Sequence, residues 1–125
     1  MFSHVMIGTN DVARAKTFYD AALGALGVRP GIATDTRVMY LHDGGVFIVT
    51  LPIDGEAACH ANGGTLGFAA KSAEEADAFH AAGAAAGGTP IEDAPGVRAG
   101  SFGKLYLAYL RDPDGNKICA MQRMA

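Results

Sequence analysis

One arrangement of residues occurs twice in this chain, about 60 residues apart, and it constrains the fold more than any other feature. In the first copy, residues 2–8 read as a strand, with Val5 and Ile7 on one parity and His4 and Met6 on the other. Asn10 or Asp11 can cap the helix that follows. Its apolar stripe is Val12, Ala15, Tyr19, Ala22 and Leu23, with Phe18 at the margin, and Leu26-Gly27 ends it. Short strands are expected over 28–33 and 37–42, a tight turn at Asp43-Gly44-Gly45, and a strand over 46–51.

The second copy opens with a strand over 64–70 and a capping box at Ser72-Ala73-Glu74-Glu75. The helical stripe is Ala76, Phe79, Ala82 and Ala86, stopped by Gly87-Gly88. Pro90, Pro95 and Gly96 make 89–99 a loop with room for one short strand. A strand over 104–110, a turn at Asp112-Pro113-Asp114-Gly115 and a strand over 117–121 close the chain. Phe18 matches Phe79, and Asp43-Gly44 matches Asp114-Gly115. One helix and about four strands cannot bury a sheet alone, so the two units must share a core or close toward each other. The reading is a single α+β domain of modules 1–51 and 64–125. Between them, 52–63 loses the pattern around Pro52, Asp54-Gly55, Asn62 and Gly63 and reads as a linker.

Half the residues are apolar and 18% are charged, which excludes a disordered chain. Glycine takes 17 positions, so Phe47, Phe68 and Phe79 must fill much of the core. The net charge is -3 and the basic residues are scattered, which argues against nucleic acid as a partner. No apolar run approaches the roughly 20 residues of a membrane span. The opening MFSHVMIGTND has no basic segment or cleavage motif. A cytoplasmic protein is expected, with no membrane partner and with Cys59 and Cys119 as reduced thiols.

The opening FSHVMIGTNDVARAKTFYDAALGALG, the central GTLGFAA, the helix AFHAAGAAAGG and the tail YLAYLRDPDGNKICAM, in that order, resemble the vicinal oxygen chelate superfamily, which groups glyoxalases, bleomycin resistance proteins and dioxygenases. The resemblance covers nearly the whole chain. It implies two βαβββ modules forming an eight-stranded cup with the helices outside, and a homodimer. The implied activities are thiohemiacetal isomerisation, epimerisation, extradiol ring cleavage and thiol transfer, alongside members that bind a drug without metal or chemistry.

In metal-dependent relatives four ligands come from the first and last strand of each module. By the resemblance these positions fall on His4, Ile48, Leu66 and Cys119. Isoleucine and leucine carry no donor, and one imidazole with one thiol does not make a divalent-metal centre. No resident metal is therefore expected, although the resemblance by itself implies a divalent one. Strand parity then gives a mostly apolar cup lined by His4, Met6, Val46, Ile48, Thr50, Leu66, Phe68, Cys119 and Met121.

His4 and Cys119 are the candidate catalytic pair, a thiol beside an imidazole. Tyr106 and Tyr109 lie on opposite faces of one strand, so one of them faces the ligand; Tyr109 joins the ligand-binding set with that choice open. Arg98, in the long loop at the mouth, can hold a carboxylate or phosphate. The expected function is that of a glyoxalase- or bleomycin-resistance-like protein with a small-molecule cup. Its metal-dependent lyase or isomerase chemistry is undercut at the ligand positions. The alternative is a metal-free binding or sequestration protein.

Overall fold

Asp11 and Ser72 open the two helices. Each has extended backbone, and each side chain accepts the amide proton of the residue three further on, Arg14 at 3.0 Å and Glu75 at 3.1 Å. Glu75 reaches back to the Lys71 amide at 2.9 Å, one residue beyond the usual capping-box partner. The helices are α1 (Val12–Gly24) and α2 (Ala73–Ala85). The computed structural model describes residues 1–101 and 103–124.

The first module contributes β1 (Val5–Gly8), β2 (Ile32–Ala33), β3 (Arg37–His42) and β4 (Gly45–Thr50), in the order β1-β4-β3-β2. Strand β1 runs parallel to β4 and the other pairs are antiparallel. Between β3 and β4, Asp43 and Gly44 both have positive φ (48° and 78°), the backbone of a type I′ hairpin. The second module contributes β5 (Leu66–Ala69), β6 (Thr89–Pro90), β7 (Gly96–Gly100), β8 (Gly103–Arg111) and β9 (Lys117–Arg123). Its order is β5-β9-β8-β6, with β7 also paired to β8. The described residues thus hold two βαβββ modules and one strand beyond the expected eight. The extra strand is β7, formed where 96–100 lies against the outer edge of β8, so Arg98 is a strand residue and not a loop residue.

Both helices lie on one side of the sheets, and the faces turned away from them form the cup. One continuous core lies between helices and sheets, with Phe18, Tyr19, Phe79, Leu110 and Ile118 fully enclosed. Phe18 is at its centre and not at the margin of the stripe. The reason is that α1 packs on α2 as well as on its own sheet, so a second face of α1 is apolar.

The two modules are also joined by a buried polar clamp built on the Asp112–Asn116 turn. One Asp112 carboxylate oxygen accepts the amides of Asp114 and Asn116, both at 2.9 Å. The other accepts the Tyr19 hydroxyl at 2.6 Å and the Asn116 side chain at 2.9 Å. Asn116 donates onward to the Gly8 carbonyl at 3.0 Å. Asp114 accepts Thr9 at 2.5 Å, the Asn10 amide at 2.8 Å and Arg14 at 2.7 Å. A turn of the second module thereby holds the end of β1 and the start of α1.

Candidate functional site

Register decides which side chains reach the cup. In the first module Met6 is level with Ile48 and Gly8 with Thr50, while Val5, Ile7, Phe47 and Val49 turn to the core. Met6, Ile48 and Thr50 therefore share the cup face. In the second module Leu66 is level with Ile118 and Phe68 with Ala120, all packed in or against the core. Leu66 and Phe68 thus do not line the cup, contrary to the sequence expectation. It is Gly67 that lies level with Cys119, and Ala69 with Met121. This strand is apolar on both parities, so nothing in its own residues marks the buried face. Leu66, the third ligand position that the resemblance implies, therefore faces the core.

On the same face Tyr109 stands directly opposite Cys119, and Leu107 opposite Met121. This settles the choice between the two tyrosines, because Tyr106 points the other way and its hydroxyl donates to Asp77 at 2.7 Å. Counting outward from the Asp112–Asn116 turn would have given the same pairing. Lys117 lies 5.0 Å from the centre of the Tyr109 ring and is ion-paired with Glu92. Arg98 shares this face through its pairing with Leu105, and its guanidinium donates to the carbonyls of Asp93 and Ala94.

His4 precedes β1, is exposed, and its Nδ1 lies 2.8 Å from the Ser3 hydroxyl. Cys119 is buried, and burial pushes its thiol up to about 11, with Lys117 and Glu92 the charged groups that act on it. Among the described residues no hydrogen bond joins His4 to Cys119. A thiol raised in this way is protonated at neutral pH and is a poor nucleophile. Iodoacetamide at pH 7 is therefore expected to label the exposed Cys59 at least about tenfold faster than Cys119, as read by peptide mass spectrometry. Equal labelling of the two would overturn this environment for Cys119.

A cavity of about 360 Å³ lies elsewhere, between the modules. Leu23, Leu26 and Val28 form one wall, and Tyr40, Phe47, Leu66 and Phe68 the other. The rings of Phe47 and Phe68 meet edge to face at 5.2 Å. The Tyr40 hydroxyl donates to Asp20 at 2.8 Å, so that group is already engaged. Burial together with the Asp20 carboxylate raises its pKa. His42, Asp43 and Lys71 stand around the cavity with the apolar walls. Of the residues expected in the cup, Leu66 and Phe68 line this cavity instead, and Val46 stands at its edge while sharing the parity of Ile48. The α1 residues and the charged group at its edge had no signal in the sequence, since they meet β5 only through the packing of the modules.

The sequence profile of the glyoxalase/bleomycin resistance protein/dioxygenase superfamily matches residues 1–120. The chain belongs to this superfamily. Among solved structures, a glyoxalase/bleomycin resistance protein from Albidiferax ferrireducens T118 is 62% identical, with a TM-score of 0.96 over 98% of this chain and 99% of that one. A glyoxalase-related enzyme from Fulvimarina pelagi is 20% identical, with a TM-score of 0.74 over 98% and 88%. A glyoxalase/bleomycin resistance protein/dioxygenase family enzyme from Burkholderia phytofirmans PsJN is 21% identical, with a TM-score of 0.73 over 98% of both chains. The last two show likeness of fold alone. No curated protein matches the chain.

The four positions that the resemblance implies carry His4, Ile48, Leu66 and Cys119, and among the described residues no three His, Cys, Asp or Glu side chains cluster to hold a metal ion. These residues do not fit a divalent metal, which takes three or more protein ligands in a zinc site and oxygen- or imidazole-rich sets otherwise. Among the described residues, no helix is long and apolar enough to cross a membrane.

Proposed function

We propose that this protein is a small-molecule-binding member of the superfamily that takes an apolar ligand into the cavity between its modules and does not perform metal-dependent lyase or isomerase chemistry. The observation that carries this reading is the cavity itself. Its volume lies at the lower end of the roughly 300–1,000 Å³ usual for small-molecule sites, and its walls are aliphatic and aromatic. A ligand would be held by burial of apolar surface, worth roughly 25 cal/mol per Å². The replacement of donors at the ligand positions supports the second half of the reading. By the same reading the protein is cytoplasmic and pairs with a second copy, whose surface would cover the exposed Met6 on the cup face.

The test combines two measurements. The purified chain is offered Ni, Zn, Mn and Fe, freed of excess by gel filtration and analysed by mass spectrometry. Less than about a tenth of an equivalent is expected, as for a site with fewer than three ligands. About one equivalent, lost on His4→Ala, would restore the metal-dependent enzyme. Thermal-shift titration with indole and naphthalene should then stabilise the wild type, by about 2.7 kcal/mol at a hundredfold excess over Kd. Leu66→Trp, on the core-facing side of β5 in the cavity wall, fills the cavity and should abolish the shift. Binding that survives Leu66→Trp would place the ligand elsewhere, and sedimentation equilibrium on the same samples reads the copy number.

A further inference from the structure

Strands β6 and β7 both pair with the outer edge of β8, and residues 91–95 bulge between them beside Tyr109. Within this strap Glu92 has a φ of 60°, a left-handed backbone that a glutamate rarely adopts and that persists only when its surroundings enforce it. Two cations do so. Lys117 is ion-paired with the Glu92 carboxylate. Arg98 donates to the carbonyls of Asp93 at 3.2 Å and Ala94 at 3.0 Å. Both cations belong to the cup face of the second module, where Tyr109, Cys119 and Met121 supply an otherwise apolar floor.

We propose that Glu92 stands, within the chain, in the place of a ligand's carboxylate, and that a small carboxylate on an apolar body binds this face by displacing it. The physical argument is one of exchange. A ligand carboxylate replaces one ion pair on Lys117 with another, while Glu92 returns to water and its left-handed backbone relaxes. A neutral ligand offers no such replacement for this partly exposed ion pair. The apolar body packs on the floor between Tyr109 and Met121. None of Glu92, Tyr109, Lys117 and Met121 lines the cavity walled by Phe47 and Phe68, so the two sites are tested separately.

The probe is benzoate, titrated into the ¹⁵N-labelled full chain and followed by amide chemical shifts. Saturable shifts are expected at Glu92, Tyr109 and Lys117, and none with the neutral isostere benzamide. Glu92→Gln removes the internal competitor and should tighten benzoate binding about tenfold or more. Glu92→Gly, which also relieves the backbone, should do the same and serves if the first variant is poorly folded. Lys117→Met should abolish binding in both the wild-type and Glu92→Gln backgrounds, with dispersed spectra confirming the fold. The proposal is overturned if benzoate does not bind Glu92→Gln, binds it no more tightly than the wild type, survives Lys117→Met, or is matched by benzamide. Shifts confined to Phe47 and Phe68 would also overturn it, and would instead support the cavity between the modules.

Discussion

Asp112→Ala is expected to destabilise the protein by about 3–5 kcal/mol, the range found when one partner is removed from a buried charged network. The carboxylate is 3% exposed and accepts four hydrogen bonds. Without it, the fully buried Tyr19 hydroxyl and the Asn116 amide lose their acceptor, and each orphaned group carries its own desolvation cost of about 1–3 kcal/mol. The loss is large against the roughly 5–15 kcal/mol that holds a domain together. Urea unfolding followed by circular dichroism measures it, and a melting temperature lower by roughly 10–20 °C should accompany it. Tyr19→Phe removes one hydrogen bond to the carboxylate and should cost less, about 1.5–3 kcal/mol. Asp43→Asn, at the matching turn of the first module, is the control. That side chain is 78% exposed, so the change should stay within about 0.5 kcal/mol. A loss below about 1 kcal/mol for Asp112→Ala would mean that the clamp is incidental and that the apolar core alone joins the modules.

The turn at Asp112 also shows where sequence reasoning stops. Its local chemistry is readable: aspartate accepts backbone amides within the turn, and Gly115 takes a φ of 91°. Its long-range role is not readable, because Thr9, Asn10, Arg14 and Tyr19 lie about a hundred residues away and only the packing of the modules brings them there. The same division runs through the site. Parity in β1 is legible because Val5 and Ile7 alternate with His4 and Met6, and Val5 and Ile7 pack against the core. Parity in β5 is not, because Leu66, Gly67, Phe68 and Ala69 are apolar on both faces and only pairing with β9 fixes which side is buried. The helix caps, the Asp43-Gly44 turn and the repeat follow from short-range rules. The cavity does not, since it is the space left where α1 of one module meets β5 of the other.

Phe18→Ala should be comparably severe, at about 3–5 kcal/mol, and its partners make the cause testable. The ring is fully buried, meets Tyr19 edge to face at 4.8 Å, and reaches across to the second module. A Cβ built on Gly88 would lie 2.5 Å from the Phe18 ring, and one built on Gly83 would lie 3.3 Å from it. Those two glycines therefore make the room that Phe18 fills. Phe18→Leu keeps part of the volume and should cost less, about 1–2 kcal/mol. The Gly88 position is crowded by backbone as well, with the Gly83 carbonyl at 2.9 Å and the Arg111 carbonyl at 3.1 Å, so Gly88→Ala should be destabilising in any background. Gly83→Ala is more informative. Its Cβ would meet the Leu110 side chain at 2.4 Å as well as Phe18, while alanine gains about 1 kcal/mol of helix propensity over glycine. In the wild type, overpacking by about 1–3 kcal/mol should outweigh that gain. In the Phe18→Ala background, Leu110 can move into the vacated space, and the same substitution should become neutral or stabilising. A double-mutant cycle by urea unfolding reads this coupling, expected at about 1–2 kcal/mol. Strict additivity would mean that Phe18 and Gly83 act independently, and that the contact between α1 and α2 does not join the two modules.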